Sequence, residues 1–418
     1  MHPRPGVPLD VPPDPVDDLA ADVPDGAPAV ALVDLGAVAR NVGAVRAAVG
    51  PAEVMAVVKA DAYGHGLVPV ARAALAGGAT WLGVAHVHEA LALRAAGVDA
   101  DVLAWILTPG ADLVPAVRAG VDLSVAAVWA VEAVAAAARA AGRRADVHLE
   151  VDTGMSRGGA SPEQWPALLD AVAGHVAAGD LRVRGTWAHF ASADVPADPS
   201  VPAQLAAFEA ALATAREHGV DPGLRHHANS AAAFFVPAAR YDLVRAGLAV
   251  YGLSPAPERA TGAQLGLEPA MTLLARLAHV RRVPAGAGVS YGLTYTVPAA
   301  TTLGLVPVGY GDGVPRHASW DGERSGEVLV GGTRRRIAGR VCMDQLVVDL
   351  GDDDAAPGDV AVVFGPGRHG EATADDWAAA AGTISWEVVT RIGARVPRAY
   401  REHAARGPAA PQRVGACA

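Results

Sequence analysis

Short apolar runs alternate with longer Ala-rich segments through the first 250 residues of the chain. The segments between the runs, such as Ala126–Gly142 and Val201–Gly219, are long enough for helices. Strand–helix alternation predicts parallel strands with right-handed crossovers, and eight units in about 220 residues predict a (β/α)₈ barrel. The nine apolar runs are Ala29–Val33, Val54–Val58, Trp81–Ala85, Val102–Leu107, Val121–Val125, Val147–Val151, Val183–Trp187, Leu224–Ala228 and Asp242–Val244. The barrel uses eight strands, so one of the nine runs must lie elsewhere, and we expect the first run to join the sheet of a second domain.

A Pro- and Gly-containing stretch, Ser254–Pro269, ends this alternation, and β-type patterns dominate after it. Gly331-Gly332 between two apolar runs predicts a two-residue hairpin turn. The predicted strands are Thr272–Val283, Thr302–Val308, Glu327–Val330, Arg334–Ala338, Gln345–Leu350 and Val360–Phe364, and short helices are expected near Thr373–Ala381 and Ile384–Gly393. The pattern therefore predicts an α/β fold with a disordered tail at 1–28, a barrel at 29–260, a mostly-β domain at 261–403 and a tail at 404–418.

Composition restricts the class of protein further. The chain has 418 residues, of which 51% are hydrophobic and 19% charged, so it can bury a large core. Its formal net charge of −10 disfavours nucleic-acid binding. We find no candidate membrane span, and no apolar segment of the kind that a secretory signal requires, so a cytoplasmic location is expected. Two cysteines, Cys342 and Cys417, make no disulfide framework.

A single lysine, Lys59, stands among 34 basic residues, and the other 33 are arginine. Codon bias toward arginine explains most of this imbalance, but it does not explain the exception. Arginine can replace lysine as a surface charge, whereas it cannot condense with an aldehyde through a neutral amine. The surviving lysine therefore indicates amine chemistry.

Polar residues collect where the predicted barrel strands end. Reacting groups in (β/α)₈ barrels lie at the C-terminal ends of the strands, so this position selects candidates without any motif. The strand ends of any barrel are solvent-exposed and carry polar residues, so a single polar residue there is weak evidence of function. A complete ring of such residues that includes the only lysine is more specific evidence. The ring comprises Lys59, Glu150, Asp152, Arg157, His189, Asn229, Ser230, Arg245 and Gly247.

Nine sequence segments, in this order, resemble those of the alanine racemases, the fold-type III enzymes that depend on pyridoxal 5'-phosphate. They are AVVKADAYGHG (56–66), DTGMSR (152–157), HFASAD (189–194), HHANSAA (226–232), RAGLAVYGL (245–253), VSYGLTYT (289–296), VGYGDGVPR (308–316), GRVCMDQ (339–345) and TISWE (383–387). The resemblance spans about 29–402. It implies interconversion of L-alanine and D-alanine, which supplies D-alanine for peptidoglycan.

The resemblance assigns two acid/base residues to this reaction. Racemisation removes the α-proton and returns it on the opposite face, so two groups are needed. Lys59 would hold the cofactor and act on one face, and Tyr291 would act on the other. A phenol is a weak base at neutral pH, and nearby cations would be needed to favour its anion. The family's head-to-tail homodimer implies that Tyr291 works in the site of the partner subunit.

The same resemblance assigns the remaining roles. Arg245 would face the pyridine nitrogen and leave it largely unprotonated, because an arginine does not readily give up a proton. The other cofactor-binding residues would be Tyr63, His189, Asn229, Ser230, Gly247, Leu248 and Trp386. The substrate carboxylate would bind Arg157 and the backbone N–H of Met343, with Tyr291 close by. Glu150, Asp194, Tyr310, Arg316 and Asp344 would line the entrance or support the residues that contact the ligands, and Cys342 is interpreted as a packing residue.

Two positions depart from the family pattern. Many members have a carbamylated lysine where this chain has Glu150, and we hypothesise that the carboxylate supplies the same negative charge to Arg157 directly. Trp386 stands where a tyrosine that contacts the phosphate is usual. Indole donates only through its N–H and is bulkier. We therefore expect a missing or water-bridged phosphate contact and a pocket that favours alanine over larger substrates.

Other functions remain as alternatives at this stage. The first is a pyridoxal-phosphate-dependent racemase of serine or of broader specificity. A pyridoxal-phosphate-binding homeostasis protein would lack the β-domain that carries Tyr291, and a related decarboxylase would need a cysteine-based substrate loop that we do not find. His317, His369 and Cys342 have no recognised metal-ligand spacing, so no metal is expected.

Overall fold

The computed structural model describes residues 19, 21–24 and 26–402. The described residues form two units: the β unit combines the chain up to Val33 with Met271–Ala399, and the barrel unit contains Asp34–Ala270 and the chain from Tyr400 onward. The division after Ala270 falls later than the predicted boundary at 260/261. The reason is local, because the Ala270 N–H donates to the Tyr251 carbonyl (3.0 Å) and so keeps 261–270 with the barrel unit.

Eight of the nine apolar runs form the predicted parallel barrel. Strand β1 (Ala29–Asp34) belongs to the β unit. The barrel strands are β2 (Glu53–Val57), β3 (Trp81–Val84), β4 (Asp101–Ala104), β5 (Asp122–Val125), β6 (Ala145–Glu150), β7 (Leu181–Trp187), β8 (Leu224–His226) and β9 (Leu243–Ala246), in the order β8-β7-β6-β5-β4-β3-β2-β9. Between β8 and β9 the N–H of Asp242 donates to Arg225 O and that of Arg245 to Ala228 O, without a continuous ladder, so the barrel is nearly closed.

Helices follow the strands because the intervening segments are rich in alanine and present buried apolar faces. Asp34 caps the first helix through its side chain, which accepts a hydrogen bond from the Ala37 N–H (2.9 Å). The helices of this unit are α1 (Leu35–Val49), α2 (Leu67–Ala76), α3 (Val87–Ala95), α4 (Val114–Arg118), α5 (Val128–Ala141), α6 (Trp165–Ala177), α7 (Ser200–Glu217) and α8 (Ser230–Phe235). Short 3₁₀ turns occur at Pro237–Ala239, Leu248–Tyr251 and Ala263–Leu265.

The β unit contains three sheets. Its remaining strands are β10 (Met271–Arg276), β11 (His279–Val283), β12 (Gly288–Val289), β13 (Tyr295–Thr296), β14 (Thr301–Val306), β15 (Glu327–Val330), β16 (Thr333–Arg336), β17 (Leu346–Gly351), β18 (Val360–Phe364) and β19 (Arg398–Arg401), with helices α9 (Ala374–Ala381) and α10 (Ser385–Thr390) and 3₁₀ turns at Tyr291–Leu293 and Arg316–Ala318. The sheets have the orders β16-β15-β18-β10-β1-β19, β11-β14-β17 and β12-β13, and of β19 only Arg398 and Ala399 belong to the β unit. The first apolar run of the chain thus pairs with β10 in the six-stranded sheet.

Two details of the β unit bear on the predicted elements. Gly331 and Gly332 have φ of +55° and +68° and join β15 to β16, which confirms the two-residue hairpin. The single predicted strand Thr272–Val283 is wrong, because it divides at Leu277 into β10 and β11, which lie in different sheets.

The predicted tail at 1–28 needs correction at two positions. Leu19 and Val23 are each only 2% exposed and lie in an apolar cluster of the β unit with Leu274, Leu329 and Val362. Burial of these two side chains fixes part of the segment despite its Pro- and Asp-rich surroundings. The rest of the prediction falls mostly on residues 1–18, 20 and 25, and the second tail on 404–418, all outside the described residues. Among the described helices, none combines the length and hydropathy that crossing a membrane requires.

Candidate active site

Lys59 follows β2 and begins a left-handed backbone turn. Ala60, Asp61, Ala62 and Tyr63 all have φ between +52° and +53°, a region that costs on the order of 1 kcal/mol for each non-glycine residue. The turn is held by carboxylates at both ends. Glu89 Oε1 accepts the Ala60 N–H (2.7 Å), and Asp61 Oδ1 accepts the Leu67 N–H (2.8 Å). These contacts place the lysine at the C-terminal end of its strand.

The Lys59 amine is half-buried and lies 5.8 Å from the centre of the Trp105 ring. Burial lowers its pKa, the Arg157 cation lowers it further, and the Glu89 carboxylate opposes the shift. A lower pKa increases the neutral fraction of the amine, which is the form that attacks carbonyl carbon and accepts a proton. Burial and the Arg157 cation therefore favour the neutral amine, which is the form that the chemistry predicted for Lys59 requires.

Tyr63, Ser230 and Gly247 come together at a close backbone approach. Ser230 Oγ accepts the N–H groups of Gly247 (2.8 Å) and Ala249 (3.4 Å). A Cβ at Gly247 would lie 2.6 Å from Tyr63 Oη, so any larger residue would require the phenol to shift. Burial raises the pKa of Tyr63 to about 12, which keeps its hydroxyl protonated. Hydroxyl and backbone N–H donors suit phosphate oxygens, and the chain continues directly into Leu248.

Arg245 on β9 is 4% exposed and is surrounded by acceptors. Its guanidinium donates to the carbonyls of His226 and Ala188 (both 2.6 Å) and His227 (3.3 Å), and it lies 3.2 Å from His189 Nδ1. Burial lowers its pKa to about 9, which leaves it a cation at neutral pH. Burial and then this cation hold the pKa of His189 well below its usual range, so His189 is neutral.

Two other predicted residues of the barrel unit have visible structural surroundings. Asn229 Oδ1 accepts the Ala232 N–H (3.0 Å) and so caps α8, which orients Ser230 at its first position. Asp194 lies exposed on the turn after β7. The structure thus explains Asn229 by capping, and it joins Asp194 to none of the polar groups described above.

Glu150 and Arg157 do not form the direct contact that the sequence suggests. Asp152 Oδ1 accepts the N–H groups of Gly154, Met155 and Ser156 and so shapes the loop that carries Arg157. Within the described part of the chain, neither Glu150 nor Arg157 has an ion-pair partner within 4.0 Å. Burial raises the pKa of Glu150 to about 7, against the opposing effects of the Arg245 and Arg157 cations. Glu150 and Arg157 thus form no direct ion pair in this geometry, and the replacement of a carbamylated lysine by Glu150 stays a prediction.

In the β unit, the Tyr291 turn is fastened to the Cys342 segment. Ser290, at φ +62°, donates through Oγ to the Arg340 carbonyl (2.6 Å) and lies 3.5 Å from Cys342 Sγ. Tyr291 itself is 71% exposed, and Met343 is 52% exposed. Both side chains therefore remain available to a ligand or a partner. The contact with Ser290 is consistent with a packing role for Cys342.

The other predicted residues of the β unit lie on adjoining segments. The Tyr310 N–H donates to the Cys342 carbonyl (3.0 Å). Arg395 bridges Asp344 (2.8 Å) and Asp312 (3.1 Å), which orients the side chain of Asp344. Arg316 is exposed at the start of a 3₁₀ turn, and Trp386 is half-buried in α10.

Two positioning residues escaped the sequence reasoning. Glu89 accepts the N–H groups of Ala85 and His86 besides that of Ala60, and its place three residues after His86 is a capping-box signal that could have found it. Gln204 on α7 accepts the Ala191 N–H and donates to the His189 carbonyl, and nothing in its sequence surroundings marks it. Across the described residues, no three His, Cys, Asp or Glu side chains are grouped to hold a metal.

The fold and this site define a class: a (β/α)₈-barrel enzyme with a half-buried lysine amine and a cluster of hydroxyl and N–H groups at the strand ends, joined to a mostly-β unit. Comparison with known families agrees with that class. A family model for the N-terminal domain of alanine racemase matches residues 33–255, and one for its C-terminal domain matches 270–400.

Individual relatives extend the match over nearly the whole chain. The alanine racemase of Frankia casuarinae is 56% identical over 370 residues, covering 88% of this chain and 95% of the relative. The crystal structure of alanine racemase from Streptomyces lavendulae superposes with a TM-score of 0.89 at 52% identity, covering 91% of this chain and 99% of the other. That of Bacillus anthracis with bound L-Ala-P gives 0.82 at 34% identity, covering 91% and 96%. The chain belongs to the alanine racemase family, whose members are isomerases.

Proposed function

We propose that this protein interconverts L-alanine and D-alanine by a two-base mechanism that depends on pyridoxal 5'-phosphate, with a product that serves peptidoglycan synthesis. The observation that carries the proposal is the position of Lys59. The only lysine of the chain lies at the C-terminal end of a barrel strand, with a pKa lowered by burial and by Arg157. When bound, the cofactor supplies an electron sink that makes the α-proton of the amino acid acidic.

The barrel unit contains a donor set that fits this cofactor. Tyr63, Ser230 and the Leu248 N–H would hold the phosphate, and the missing Cβ of Gly247 provides the room. The Gly247 N–H, which donates to Ser230 Oγ, would join them on release of that bond. Arg245 would face the ring nitrogen with a guanidinium that only donates hydrogen bonds. Lys59 would hold the aldehyde carbon, and His189 and Asn229 would support these groups.

Lys59 and Tyr291 divide the proton transfers between the two faces of Cα. With the amino acid bound, the nitrogen of Lys59 would take or return the α-proton on one face. The phenol oxygen of Tyr291 of the partner subunit does so on the other, in a homodimer with shared sites. The 71% exposure of Tyr291 on its fastened turn supports such a use across an interface.

Substrate recognition rests on the carboxylate and on the size of the side chain. Arg157 and the backbone N–H of Met343 would bind the carboxylate by charge-assisted hydrogen bonds. Trp386 would limit the space for the substrate side chain and favour alanine. Tyr310, Arg316, Asp194 and Asp344 would line the approach.

Mixing two inactive variants tests the shared site. Lys59→Ala and Tyr291→Phe are each expected to lose activity, measured as loss of optical rotation of L-alanine. After subunit exchange, one site of each mixed dimer has both native residues, so about a quarter of the wild-type activity is expected at equal concentrations. Exchange demonstrated by mass spectrometry with no recovery would contradict the division of roles. Faster turnover of L-serine than of L-alanine by the native enzyme would overturn the proposed substrate.

A further inference from the structure

A hydrogen-bonded column of three polar side chains occupies the interior of the barrel unit. Asp122, His148 and His226 are 1%, 0% and 0% exposed. His148 Nε2 lies 3.1 Å from Asp122 Oδ2, and His148 Nδ1 lies 2.9 Å from His226 Nε2. Because barrel interiors are filled mainly by branched apolar side chains, and buried polar groups are costly without partners, this column requires an explanation.

The column ends at Arg245. His226 Nδ1 lies 3.3 Å from Nη1 of the guanidinium, which also donates to the His226 carbonyl at 2.6 Å. Three strands in addition to β9 therefore contribute to the surroundings of this cation: β8 through His226, β6 through His148 and β5 through Asp122. In the described chain, no carboxylate forms an ion pair with Arg245 within 4.0 Å.

Only one placement of the ring protons lets every contact of the column be a hydrogen bond. Arg245 can only donate, so His226 Nδ1 accepts and its Nε2 carries the proton. That Nε2–H donates to His148 Nδ1, and His148 Nε2–H then donates to Asp122 Oδ2. Burial holds the pKa of His226 well below its usual range, which agrees with a neutral ring.

The far end of the column is anchored by ions. Arg184 Nη1 lies 3.4 Å from Asp122 Oδ2 and 2.8 Å from Asp101 Oδ1. The Arg184 guanidinium also lies 4.5 Å from the centre of the Trp81 ring. Asp122, Asp101 and Trp81 are the first residues of their strands, so the column runs from the N-terminal end of the barrel to the arginine.

We propose that Asp122 and His148 are positioning residues for Arg245, acting through His226. They fix the Nε2–H tautomer of His226, so that its Nδ1 accepts from the guanidinium, and they extend the negative charge of Asp122 toward a buried cation. The opposite tautomer would set an N–H against an N–H of Arg245. The functional consequence rests on the proposed function, in which Arg245 faces the cofactor ring.

Nitrogen NMR of the holoenzyme labelled with ¹⁵N-histidine tests the tautomers directly. We expect the rings of His148 and His226, assigned through His148→Phe and His226→Gln, to have the Nε2–H tautomer in the native protein. Protonation of native His226 at Nδ1, or at both nitrogens, would overturn the proposal. This readout does not depend on racemase activity, so it is distinguishable from failure of the proposed function.

Kinetics of matched variants test the effect on Arg245. Asp122→Asn removes the charge and keeps an acceptor, and we expect a kcat about ten-fold lower with KM changed less than two-fold, together with a shifted absorption maximum of the bound cofactor. Asp170→Asn, which alters an exposed pair with His218 (2.7 Å), is the control and leaves both unchanged. An Asp122→Asn enzyme with native kcat and native absorption would contradict the positioning role.

Discussion

Replacement of Glu150 by glutamine is expected to stabilise the protein at alkaline pH and to have little effect near pH 5. Burial raises the pKa of this carboxyl from 4.5 to about 7. Between these values the folded protein retains a proton that the unfolded chain has lost, so raising the pH destabilises the native enzyme. Glutamine has the same shape and does not titrate, so the variant escapes this loss.

The size of the effect follows from the shift. At 1.36 kcal/mol for each pKa unit, a rise from 4.5 to 7 corresponds to about 3 kcal/mol. Glu150 is half-buried, and solvent at the strand ends screens its charge, so we expect about 1–2 kcal/mol. The difference is absent below pH 4.5, grows between pH 4.5 and 7, and is complete above pH 7.

Urea unfolding followed by tryptophan fluorescence, at pH 5.0 and pH 8.0, measures this difference. Glu258→Gln changes an exposed glutamate of the same unit and serves as the control, with equal effects at both pH values. A constant difference between Glu150→Gln and the native protein at the two pH values would refute the reasoning. So would a variant that loses stability relative to the native protein as the pH rises.

The remaining predictions concern the cofactor and substrate sites. Bicarbonate is expected to leave activity unchanged, because position 150 has a carboxylate and not an amine that could be carbamylated; activation in a titration of decarbonated enzyme would contradict this. Gly247→Ala brings a Cβ to 2.6 Å from Tyr63 Oη, and equilibrium dialysis should show at least ten-fold weaker binding of pyridoxal 5'-phosphate. Tyr63→Phe in the same chain removes the clashing oxygen and should recover part of that loss; no coupling between the two substitutions would argue against this approach. Because Trp386 is bulky, kcat/KM for L-valine and L-leucine is expected to lie well below that for L-alanine, and higher values would disprove the limit on size.

The sequence predicts the barrel and the position of its reactive amine for physical reasons. Lys59 stands out because an apolar run ends immediately before it and because arginine cannot replace its chemistry. Gly331-Gly332 is equally clear, since a two-residue hairpin requires positive φ at both positions. Such features are local and depend on few distant contacts.

Features that depend on tertiary contacts could not be predicted in this way. His148 and His226 are polar residues within apolar runs, and their sequence positions do not indicate a function. Their hydrogen bond forms only because β6 and β8 bring His148 Nδ1 to 2.9 Å from His226 Nε2. Leu19 lies in a Pro- and Asp-rich segment, and only the sheet that covers it makes it a core residue. The loop that carries Arg157 is shaped by N–H groups that donate to Asp152 Oδ1, an arrangement that exists only in the folded chain.

Borohydride trapping followed by peptide mass spectrometry tests the central claim most directly. Native enzyme incubated with pyridoxal 5'-phosphate and reduced with borohydride should carry one phosphopyridoxyl group on each chain, on the peptide that contains Lys59. The label should be absent in Lys59→Ala. The assignment on which the proposed reaction depends would be contradicted by a native enzyme that is active before reduction and has no label at Lys59 afterwards. Retention of the label in Lys59→Ala would contradict it as well.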